Sequence, residues 1–121
     1  VSLSKNLNLS GFNTFIWSCA KFFNKKDSIC SLIKFRQKYF IKKFDKNLNS
    51  ISKVEEITKE EIIKNYDNKF KVIPKNVIKY FDEKVLELNN LSIVDLDHNE
   101  LEFLRLKGLL DEDLIKPLYL S

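Results

Sequence analysis

Cys19, Cys30 and His98 are the side chains with which this sequence could hold a transition metal or build a nucleophile. A structural zinc takes four N or S ligands in short paired spacings, and one histidine with cysteines 11 residues apart does not supply them. Cys19 and Cys30 could join in a disulfide, but two cysteines in a Phe-rich chain make no disulfide framework. The reading adopted is two buried thiols that pack as small apolar groups. Asp95, Asp97 and Asn99 have the opening rhythm of an EF-hand loop, yet Glu100 stands where that loop needs glycine and Leu106 where it needs its closing glutamate. The carboxylate pairs Glu55–Glu56, Glu60–Glu61 and Asp111–Glu112 are adjacent residues that point apart on a helix, not toward one reacting atom. Gly-rich phosphate loops and nucleophile motifs do not occur. No catalytic residue, metal or cofactor is therefore expected, and binding is the function class that remains.

For binding, the charge distribution is the main signal. Residues 1–53 carry a net charge of +9 and residues 54–121 a net charge of −5. Lys25, Lys26, Lys34, Arg36, Lys38, Lys42 and Lys43 lie close together in sequence, interleaved with Phe35, Tyr39, Phe40 and Phe44. Such cations could form a solvated lysine face over a buried Phe stripe, could neutralise RNA phosphates with the aromatics stacking on unpaired bases, or could lie against an anionic membrane surface. With only two arginines, base-specific readout is less well served, because the guanidinium fork is the better tool for it. A second set, Phe12, Phe15, Ile16, Trp17, Phe22 and Phe23, crowds one short segment nearly all round and reads as a docking element for a neighbouring subunit.

The elements expected to position these groups are helical. Two glycines and two prolines leave few residues for tight turns. Residues 1–11 read as an extended arm, and the Phe12–Phe23 segment as a first helix. Ile29, Leu32, Ile33, Phe40 and Phe44 recur at helical steps, which predicts an amphipathic second helix over Ser28–Lys46 with a lysine face. Residues 47–56 form a linker. Thr58 and Glu61 have capping-box spacing and Ile57 and Ile62 that of a hydrophobic staple, so a helix starts at Lys59 and carries Ile62, Ile63, Tyr66 and Phe70. After Pro74, Val77, Ile78, Phe81, Val85 and Leu88 predict a fourth helix. Asp97 caps a fifth, which Gly108 ends, and Asp111 could cap one more turn. Lys69–Ile73 and Leu91–Leu96 alternate enough to make short strands. A helix-turn-helix over Leu101–Ile115 is excluded as a DNA reader, since its second helix would open with Asp111, Glu112 and Asp113 against phosphates.

The expected fold is thus mainly α. It is a small irregular helical domain of four to five helices over residues 12–121, basic over 12–53 and acidic over 54–121, behind the arm. Residues 57–72, ITKEEIIKNYDNKFKV, resemble the middle helix of the degenerate J-like subunits of the mitochondrial import motor. The chain has no His-Pro-Asp motif, so the resemblance implies no chaperone stimulation. Residues 1–26 contain no Asp or Glu, the bias of an organellar targeting peptide, which sets a mitochondrial location ahead of a cytoplasmic one. No run of 18 apolar residues is present to span a bilayer. The function expected is that of a non-catalytic accessory subunit in a large organellar assembly, such as a respiratory complex, acting through protein contacts. The alternative is a mitoribosomal protein that holds rRNA through the basic half.

Overall fold

The structure, a computed structural model, describes residues 14–109. The arm expected over residues 1–11, Phe12 and the turn expected at Asp111 lie outside them. The described chain is not mainly α: it is an α/β fold built on a five-stranded mixed sheet. Strands β1 (Ser28–Phe35) and β2 (Lys38–Asp45) form an antiparallel hairpin in which Ser28 pairs with Asp45 and Phe35 with Lys38. Strand β3 (Glu55–Ile57) lies antiparallel on the outer edge of β2, within the stretch expected as linker and cap. Strand β4 (Lys71–Pro74) runs parallel to β1, and β5 (Leu91–Val94) parallel to β4. The order across the sheet is β3-β2-β1-β4-β5.

The second predicted helix is therefore this hairpin, and the physical reason for the difference is two-sided burial. From Ile29 to Ile33 every residue of β1 is buried. A strand covered on both faces loses the apolar–polar alternation by which strands are recognised and reads as a continuous apolar run. Alternate residues serve opposite faces. Ile29, Ile33 and Phe44 join Val72 in one core, packed with Phe15, Ile16, Ala20 and Leu104. Cys30, Leu32, Tyr39 and Ile41 join Ile73 in the other, packed with Ile57, Ile62, Phe81 and Val85. The helical spacing of Ile29, Leu32, Ile33, Phe40 and Phe44 arises from two strands and two faces. The turn between the strands is Arg36–Gln37, both left-handed with φ of 51° and 67°. That is the two-residue geometry whose twist suits a hairpin, and it normally calls for Asn-Gly.

Helical segments cover both faces. On the first face lie the helical residues 14–17, a 3₁₀ turn η1 (Ala20–Phe22), and a helix numbered α3 here (His98–Leu106). On the second lie α1 (Lys59–Asn65) and α2 (Glu83–Leu86). The fourth predicted helix is broken: a 3₁₀ segment η2 (Lys75–Tyr80) ends at the extended Phe81, and Asp82 caps α2 by accepting from the Lys84 amide at 2.8 Å. The helix expected from Thr58 forms with its capping box, but ends at Asn65 and gives way to β4. The resemblance to a J-like middle helix therefore covers a seven-residue helix and a strand.

Local end signals hold where the distance in sequence is short. Asp97 accepts from the Asn99 amide at 2.6 Å at the start of α3. At its end Leu109 N donates to Leu104 O and Gly108 N to Arg105 O, each at 3.0 Å, the paired bonds of a Schellman motif around Gly108 at φ +70°. A Cβ at Gly108 would meet nothing within 4 Å. Gly108→Ala should therefore cost only the left-handed backbone penalty, about 1 kcal/mol in urea denaturation, with Gly108→Asn losing less. Equal stability of all three proteins would show that the motif does not form in solution.

Candidate nucleic-acid interface at the hairpin tip

All strands but β2 run in one direction, so the carboxyl ends of β3, β1 and β4 meet at one edge of the sheet. That edge is where open α/β sheets place their ligands. Here the hairpin turn, the start of α1 at Thr58 and the end of η2 at Tyr80 come together around a groove of about 440 Å³. A second depression, about 330 Å³, continues it over Phe35 and Arg36, and the two share Lys34, Gln37 and Tyr80.

The two parts differ in charge. In the first, every carboxylate has a lysine: Glu56 faces Lys38 at 3.5 Å, and Lys59 reaches both Asp82 at 3.3 Å and Glu60 at 4.0 Å. The Lys84 amide and the Lys59 ammonium hold the Asp82 carboxyl below the usual carboxylate range, so it stays ionised. The second part is basic and aromatic. Lys34 Nζ lies 4.8 Å from the Tyr39 ring centre, the Arg36 guanidinium 5.0 Å from Phe35, and Lys79 Nζ 5.1 Å from Tyr80. None of these three cations has an ion-pair partner among the described residues, and Tyr80 is 55% exposed. Cations held on ring faces leave their outer N–H groups directed to solvent.

Of the basic residues singled out from the sequence, Lys34 and Arg36 line the groove, while Lys38 lines neither part and reaches it only through its ion pair with Glu56. Lys25 and Lys26 lie before β1, at the opposite end of the hairpin, roughly 23 Å away by the strand rise. Lys26 sits 4.7 Å over the Phe70 ring. Lys42 and Lys43 project from opposite faces of β2: Lys42 lies 5.5 Å over Phe44, and Lys43 lies 5.2 Å over Tyr66, whose hydroxyl raises its pKa. Lys79, Tyr80 and Gln37 were missed. Nothing local marks them, because Tyr80 reaches the hairpin only through the parallel pairing of β4 with β1.

Of the aromatic set, the described residues pack against the first core. Phe15 is 2% exposed and Ile16 is buried beside it. Trp17 donates from Nε1 to Asp97 O at 2.7 Å, Phe22 meets Phe70 edge-on at 4.9 Å, and Phe23 meets Phe103 edge-on at 5.5 Å. These contacts join the first segment to β4 and α3. Both thiols are free and buried, on opposite faces of the sheet; burial pushes the Cys19 thiol far up and raises that of Cys30 as well. His98 lies against Trp17, Asp95 pairs with Lys75 at 3.8 Å and Glu100 with Lys21 at 3.7 Å, so the three do not converge. Among the described residues no group of three His, Cys, Asp or Glu is placed to hold a metal ion, and no helix is long and apolar enough to cross a membrane.

Compared with known proteins, the chain matches no family model, no curated protein and no solved structure.

Proposed function

We propose that the chain is a non-catalytic binding subunit that holds single-stranded RNA at the tip of the β1–β2 hairpin. The observation that carries this reading is that Lys34, Arg36 and Lys79, free of carboxylate partners among the described residues, each lie over an aromatic ring at this end of the sheet: Tyr39, Phe35 and the exposed Tyr80. Phosphates take the cations and an unstacked base takes the ring, which is the combination that binds single strands with little sequence demand. The turn supports it. Arg36 and Gln37 occupy left-handed positions at about 1–2 kcal/mol each, where Asn-Gly would serve a hairpin better, so their side chains are kept at a cost in backbone energy.

Three phosphate contacts give a slope of about −2 for log affinity against log salt on a single strand. Binding of a labelled RNA octamer, followed by fluorescence anisotropy, should therefore weaken roughly twentyfold between 50 and 200 mM salt. A triple alanine variant at Lys34, Arg36 and Lys79 should abolish most of that slope, and Lys25→Ala with Lys26→Ala should leave it intact. Association with protein alone, insensitive to salt and to the triple variant, would favour the accessory subunit of a protein assembly instead.

A further inference from the structure

We infer that the ion-paired part of the groove is a subsite for one unstacked nucleobase, with uracil preferred, and that Tyr39 reads it; this rests on the RNA reading above. Tyr39 is 6% exposed, and its hydroxyl accepts from the Asp82 amide at 2.9 Å. Both residues line the groove, so the hydroxyl lies at its wall. Its own proton has no acceptor among the described residues. A buried hydroxyl normally finds a partner for its donor, and one left open toward a cavity is a donor waiting for a ligand acceptor.

Charge narrows the ligand. Glu56, Glu60 and Asp82 stand against Lys38, Lys59 and, at the mouth, Lys34, so this part of the groove is polar and close to neutral. It suits a neutral heterocycle better than a phosphate, and phosphates already have the basic part beside it. The volume of about 440 Å³ falls in the ~300–1,000 Å³ range of small-molecule sites. Lys34, paired across the hairpin with Tyr39, adds a second donor at the mouth. Two donors ask for two acceptors. Uracil offers its O2 and O4 carbonyls, whereas adenine presents an amino group where uracil has O4. Pyrimidine runs also leave their own stack at lower cost. Tyr80 and Gln37, common to both parts, stand where the strand would pass from the cations into the groove.

The test uses the full chain with three labelled octamers: uridine, adenosine, and an abasic strand that has only the phosphate backbone. The uridine octamer should bind about tenfold more tightly than either of the others. Tyr39→Phe, which removes one hydroxyl, should remove most of that preference and leave both the abasic affinity and the salt slope unchanged. An octamer with 4-thiouridine at one central position should cross-link to unaltered protein within residues 34–39 or 80–82, which tests the site without any substitution. Equal affinity for all three octamers, or cross-links confined elsewhere, would overturn the base subsite and leave the RNA reading standing. No binding of any octamer would overturn both.

Discussion

Lys71→Met should unfold this domain more readily than any single substitution at its surface, losing about 3–5 kcal/mol in urea denaturation. Lys71 is 0% exposed. Its ammonium donates to Tyr66 O at 2.6 Å, Lys69 O at 2.8 Å, Asn89 O at 2.6 Å and Asp67 O at 3.2 Å. Burial holds the Lys71 pKa below the ordinary lysine range, and the Asp67 carboxylate pulls it part of the way back. A methionine fills the same volume but offers no donor, so carbonyls oriented around a cation are left to find water or stay unpaired. A chain of this length is held by about 6–18 kcal/mol in total, so the loss is a large fraction of its stability. Arginine should not rescue it, because a planar fork does not fit a cage built around a compact ammonium. Lys69→Met, two residues away and exposed, is the control and should change stability by less than about 0.5 kcal/mol. Equal stability of the two methionine variants would show that the cage contributes nothing. The effect should also reach the tip: Lys71 fixes the start of β4, and β4 delivers η2, with Lys79 and Tyr80, to the hairpin.

Lys71 also shows where sequence reasoning stopped. It is one of 19 lysines, and no local pattern separates it from those on the surface. The readable features were those closed within a few residues: the Thr58–Glu61 box, the Asp97 cap and the Gly108 terminus. Each is a bond or contact between near neighbours, so the spacing contains the physics. The hairpin was not readable, because Arg36–Gln37 lacks the glycine or asparagine that signals its turn, and because burial of β1 on both sides erased the strand period. The site was half readable. Lys34 and Arg36 are among the basic residues that the sequence singles out, but the strand period turns Lys38 to the face opposite Lys34 and sends Lys42 and Lys43 to opposite faces. Tyr80 and Lys79 enter only once the strand order is known.

Phe15→Ala separates the two roles open to the aromatic N-terminal segment. If Phe15 docks on a neighbouring subunit, its truncation should spare the isolated chain and weaken only a complex. If it is core, the isolated chain should lose about 3–5 kcal/mol, as buried Phe→Ala changes do. The packing favours the second outcome for Phe15, which lies in one cluster with Ile29, Phe44 and Leu104. One polar bond ties the segment to the sheet, Ser18 Oγ lying 2.9 Å from Ser31 Oγ on β1, while Ser18 Oγ and Cys19 Sγ donate to Phe15 O within the segment at 2.9 Å and 3.3 Å. The Ser18–Ser31 bond is lost if the segment leaves the sheet, so its detachment toward a partner would expose an apolar face and an unpaired Ser31 hydroxyl at once. Denaturation of the purified chain decides between them. Unchanged stability of Phe15→Ala would return the segment to the role of a docking element. A loss of several kcal/mol would place it in the fold and leave the hairpin tip as the surface through which this chain meets its partner.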